Sequence, residues 1–171
     1  MGEAIEQLTL EDEIRNENRI VQGWLLGYRQ RKEEYCRRRG DILLASPLPP
    51  NGLPRGSETS DPTERKGGML AELAEDEALW LELVEEVQVR LSWKMQIILK
   101  LRREAVYIRG KRCGRPAWVA YVQVKYCEEV AAKLGKQLED VWVNNKDVFS
   151  EWWKRIVEYT ARLAAKRGLL K

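Results

Sequence analysis

Histidine is absent from all 171 residues. That excludes Ser-His-Asp triads, imidazole acid–base catalysis and His-ligated metals together. Cysteine is scarce: Cys36, Cys113 and Cys127 are an odd, widely spaced set with no CxxC pair. Without a histidine to complete a zinc site, they read as structural or incidental thiols. There is no run of about 18 apolar residues, so no membrane span is expected. The start Met1-Gly2-Glu3-Ala4 has no basic patch leading into an apolar core, so no secretory signal is expected either. A reducing cytoplasm is the expected setting. Gly110-Lys111 lacks the preceding glycine loop of a Walker A motif, and no GxSxG, HExxH or dinucleotide fingerprint occurs. The chain reads as no enzyme and calls for no cofactor.

What is present is charge, and it is segregated. The net charge is only +3, with 33% of residues charged and 44% hydrophobic. From Leu70 to Glu86 there are seven acids and no base, and from Arg90 to Arg115 nine bases against Glu104 alone. Opposed blocks of this kind often place the basic one on a polyanion, or else form two solvated helix faces. A chain of 20.0 kDa has room for one compact domain, or one small domain with an arm.

Three zones follow from the pattern: an arm over 1–45, a linker over 46–68 and a helical domain over 69–171. In the first, Ile14, Ile20, Val21, Trp24, Leu25, Tyr28 and Tyr35 recur at three- and four-residue steps. That spacing predicts an amphipathic helix from about Leu8 to Arg39, stopped at Gly40 after three arginines. Gly23 and Gly27 weaken it and mark points where another backbone would come close. The linker holds five of the six prolines, which predicts a partly extended, mobile segment. Asp61, Pro62 and Glu64 are placed to start a following helix.

The third zone reads as helical throughout. Trp80, Val84, Val87, Leu91, Met95, Ile98, Leu101, Ala105 and Ile108 make one stripe at about 3.5 residues per step. One continuous helix fits it, as do two with Ser92 as a new N-cap. A coiled-coil partner or, preferably, a folded-back neighbour would cover the stripe. Further helices are expected from about Ala117 to Leu134, capped by Gly135, and from about Asp147 to Arg167, stopped by Gly168. Leu138 to Val143 reads as a short helix or turn.

Helix, glycine, connection and longer amphipathic helix is the grammar of a helix-turn-helix. Tyr126 to Gly135 would be its first helix. The last helix would offer Lys146, Ser150, Lys154, Arg155, Arg162 and Lys166 to double-stranded DNA. Glu151–Arg155 and Glu158–Arg162 can equally be ion pairs that only stabilise the helix. Arg102, Arg103, Arg109, Lys111, Arg112 and Arg115, on or beside a glycine-containing loop, are the expected phosphate contacts. The seven tryptophans, at helical spacings, read as core rather than as a base-stacking platform.

The order of elements resembles a known family. It begins with a helix carrying Tyr28-Arg29, then a linker with Gly52-Leu53-Pro54-Arg55-Gly56-Ser57 and Ser60-Asp61-Pro62-Thr63-Glu64. An acidic helix, the segment Leu91 to Leu101, a Glu-Val-Ala-Ala-Lys-Leu-Gly helix and a basic last helix follow. This is similar to the phage transcriptional regulators of the RinA/ArpU type, whose C-terminal half resembles region 4 of sigma factors. The resemblance implies an all-α, DNA-binding activator of phage late genes working with host RNA polymerase, as a monomer or dimer, without a membrane. It implies Glu129 to Gly135 in the first helix of the motif and Asp147 to Lys166 in the recognition helix. The connection Gly135 to Lys146 is longer than a three- or four-residue turn, and Glu104 to Trp118 is a basic insertion. The acidic helix is expected to stay off DNA and to face polymerase or another basic partner. The rival readings are a ring-forming phage DNA-packaging small subunit and a helical interaction module that binds no nucleic acid.

Overall fold

A computed structural model describes residues 10–44, 67–68, 75–112 and 114–170. The proline-rich linker over 46–66, with its capping residues Asp61, Pro62 and Glu64, lies outside them, as does Cys113. Five long helices make up the rest: α1 (Leu10–Leu44), α2 (Glu75–Arg90), α3 (Trp93–Glu104), α4 (Trp118–Leu134) and α5 (Asp147–Lys166). Between α3 and α4, Lys111–Arg112 pairs antiparallel with Arg115–Pro116 in a two-residue β-hairpin, β1 and β2. Gly110 and Gly114, at φ +88° and +76°, make its bends possible. No helix among the described residues is long and apolar enough to cross a membrane.

The stripe from Trp80 to Ile108 is divided between two helices. Ser92 sits at ψ 153° and its side chain caps nothing. Gln96 supplies the stop instead: its side-chain amide donates to the carbonyls of Gln88 and Leu91, both at 3.0 Å, satisfying the end of α2. Helices of the same chain cover the stripe. α5 packs on all four other helices, burying Phe149, Trp153, Ile156, Val157, Thr160 and Ala164 against them. Gly135 closes α4 at φ +63° and Gly168 follows α5 at φ +70°, as their positions predict.

α1 departs from the expected arm in three ways. It runs through Gly40 to Leu44, since one glycine costs a helix only about 1 kcal/mol and Leu43 and Leu44 favour its continuation. A Cβ at Gly23 would meet open space, and one at Gly27 only the Arg31 side chain, so neither marks a close backbone approach. Finally, Val21 and Leu25 are fully buried in the same cluster as the core of α2 to α5. The middle of α1 is therefore part of one hydrophobic core, reinforced by the Trp24 and Trp80 rings, stacked 5.2 Å apart.

Candidate nucleic-acid interface

The acidic block finds its basic partner inside the chain. Glu85 on α2 accepts hydrogen bonds from Tyr28 Oη and Lys32 Nζ, both at 2.7 Å, and Glu77 accepts one from Arg38 at 2.5 Å. Glu86 pairs with Arg90 at 2.6 Å and with Arg167. The Lys32 ammonium and the Tyr28 hydroxyl hold the Glu85 carboxyl below its ordinary range. Two acids of this helix thus have basic partners on α1 of the same chain.

Two of the expected phosphate contacts are drawn into the packing. The Arg102 guanidinium lies 4.6 Å from the centre of the Trp118 ring and 5.4 Å from that of Trp153. Its Nε and Nη1 are buried with no hydrogen-bond partner among the described residues, and desolvation lowers its pKa. Arg103 turns toward α1 and donates to the Leu25 carbonyl at 2.8 Å and to Gln88 at 2.9 Å. It also lies 4.9 Å from the Tyr28 ring centre. Both arginines serve as helix-packing groups, because each is carried on the inner side of α3 and meets aromatic rings there. The two guanidinium groups expected on phosphate are held within the helix packing.

The hairpin keeps its exposed cations. Arg109 and Lys111 are exposed and form no ion pair among the described residues; of Arg112 only the backbone is described. Arg115 makes a two-pronged bond to Asp147, at 2.6 and 3.0 Å, and holds that carboxyl below its usual range. The pair fastens the hairpin to the first turn of α5. Asn145 Oδ1 accepts the Asp147 backbone N–H at 3.0 Å and orders the entry to the helix. From sequence Asp147 reads only as the start of the last helix. Its role as an anchor for a loop 32 residues away left no local signal.

On α5 the exposed cations divide into two edges. Arg155, Arg162 and Lys166 stand at i, i+7 and i+11, a single stripe, and none has an ion-pair partner among the described residues. Lys146 is likewise exposed and unpaired at the helix entry, whereas Ser150 is half-buried. Lys154 reaches Glu158 at 3.7 Å, and these two share a cleft with Glu11, Ile14, Arg15, Asn18, Arg19 and Gln22 of α1. Neither Glu151–Arg155 nor Glu158–Arg162 forms an ion pair among the described residues. Gly135 to Lys146 is a twelve-residue connection with a 3₁₀ turn at Glu139–Val141. The Gln123 amide donates to the Val143 carbonyl at 2.7 Å and holds it on α4.

Six of the seven tryptophans lie in or against the core, and Trp142 is the more exposed one. No three of the described Asp, Glu and Cys side chains converge as a metal-binding group. Set against known protein families, curated proteins and solved structures, the chain matches none of them.

Proposed function

We propose that this chain is a DNA-binding transcriptional regulator of the phage type, acting with the host's RNA polymerase. One observation carries the reading: an exposed basic hairpin is fastened by Arg115–Asp147 to the start of a helix bearing an unpaired cationic stripe. A helix entering a major groove needs its opposite face buried so that its approach is rigid, and α5 has that construction. Arg109, Lys111 and Arg112 on the hairpin would hold phosphates. Lys146, Arg155, Arg162 and Lys166 would run along the duplex, with Arg155 and Lys154 nearest to base edges. In this reading α4 and α5, joined by Gly135 to Lys146, act as a helix-turn-helix with an extended turn. The family resemblance supports the same reading and supplies the phage setting.

Selection of the purified protein on a random duplex library tests it. A single enriched motif is expected at near-physiological salt. Replacing Lys154 and Arg155 by alanine should remove sequence discrimination. Replacing Arg109, Lys111 and Arg112 should weaken all duplexes alike and lower the salt slope by about 0.9 for each phosphate contact removed. Retention without a motif, together with a ring of eight or more subunits in light scattering, would favour a packaging protein instead. No retention would end the DNA reading.

A further inference from the structure

α1 is held unevenly along its length. From Val21 onward it is fixed by two fully buried side chains, the Trp24–Trp80 stack, the Arg103 bond to the Leu25 carbonyl, and the Glu85 and Glu77 ion pairs. Before Val21 no residue of the helix is buried, and Leu10, Ile14 and Ile20 are 71%, 48% and 42% exposed. The boundary falls between Ile20 and Val21, within one helical turn of Gly23, where a side chain would meet open space. Packing therefore does not require glycine at that point, and its effect is to weaken the helix close to the boundary.

The loosely held half borders α5 on its Lys154 and Glu158 side, leaving an open cleft of about 520 Å³ between them. That arrangement is too wide for DNA. A helix with its side chains is about 10–12 Å across, and packed helix axes stand about 8–10 Å apart. Two adjacent helices thus present about 20 Å, against a major groove about 12 Å wide. The first half of α1 also carries Glu11, Asp12, Glu13 and Glu17 against Arg15 and Arg19. Phosphates would repel it rather than recruit it.

We infer that Leu10–Ile20 is a displaceable arm, which lies along α5 in the free protein and leaves it when duplex DNA enters. The inference rests on the DNA reading of α5. The contact is an internal competitor: DNA affinity includes the cost of moving the arm, and the firmly docked half, Trp24 to Arg39, stays in place.

Amide hydrogen exchange on the full chain, alone and with a saturating 30-base-pair random-sequence duplex, tests this directly. Exchange in residues 10–20 is expected to accelerate by about tenfold or more on adding DNA, while residues 24–39 stay unchanged. Gly23→Ala, which fits the open space and stiffens the helix, is expected to weaken duplex binding by about two- to fivefold. Slowed or unchanged exchange in residues 10–20 under saturating duplex overturns the arm and leaves the DNA reading standing. Failure of both proteins to bind any duplex overturns the DNA reading and the arm with it.

Discussion

Arg102→Met separates the packing role of this arginine from a phosphate role by a sum of opposed terms. Contacts with two indole rings stabilise the guanidinium by roughly 1–4 kcal/mol in total, at about 0.5–2 for each ring. Burying Nε and Nη1 without acceptors costs about 2–6 kcal/mol, at about 1–3 for each donor. At the middle of both ranges the head group is unfavourable by about 1.5 kcal/mol, and its aliphatic stem does the packing. Methionine keeps a stem of similar length and removes both donors. In urea unfolding followed by tryptophan fluorescence, Arg102→Met should equal the parent or exceed it by up to about 2 kcal/mol. Arg102→Ala, which leaves a hole between Trp118 and Trp153, should lose about 2 kcal/mol or more. In DNA titrations across salt concentrations, the slope for Arg102→Met should match the parent. A loss above about 2 kcal/mol for methionine, or a slope lower by about 0.9, would refute the reasoning.

The docking of α1 makes a second prediction. Leu25 is fully buried, so Leu25→Ala should destabilise the whole molecule by about 2–5 kcal/mol, with fluorescence and far-UV circular dichroism moving together. An unchanged unfolding midpoint would mean that α1 is an independent arm after all. A third concerns pH. The Glu85 carboxyl titrates below its unfolded value, so its bonds to Lys32 and Tyr28 stabilise the fold above the unfolded carboxylate range. That stability is lost as pH falls through the folded value. Glu85→Gln should thus lower the melting temperature at neutral pH, by a difference that shrinks as pH falls below the ordinary carboxylate range. A difference that persists undiminished in acid would show that the carboxylate charge is not its source.

Much of the helical layout was legible because its signals are local. The stops at Gly135 and Gly168 and the helix from Asp147 follow from spacing and glycine alone. The division at Ser92 was one of two open readings. Gln96 decided it by binding carbonyls of the preceding helix, a contact that periodicity does not encode. Of the candidate contacts, Arg109, Lys111, Lys146, Arg155, Arg162 and Lys166 stand exposed. Arg115 is committed to Asp147, and Lys154 lies in the α1 cleft.

By itself, then, the sequence determined an all-helical chain, the helix ends and the separation of acidic from basic segments, since backbone propensity and periodicity act within a few residues. Only the tertiary structure decided where each charge is used. Arg102 and Arg103 look like surface cations in a basic run, yet Trp118, Trp153, Tyr28 and the Leu25 carbonyl, all distant in sequence except Trp118, draw them inward. The acids of α2 read as a face for a partner, and Lys32 and Arg38 of α1 meet two of them. A charge carries no local mark of its eventual neighbour, because electrostatic and packing partners are chosen by the folded geometry rather than by position along the chain.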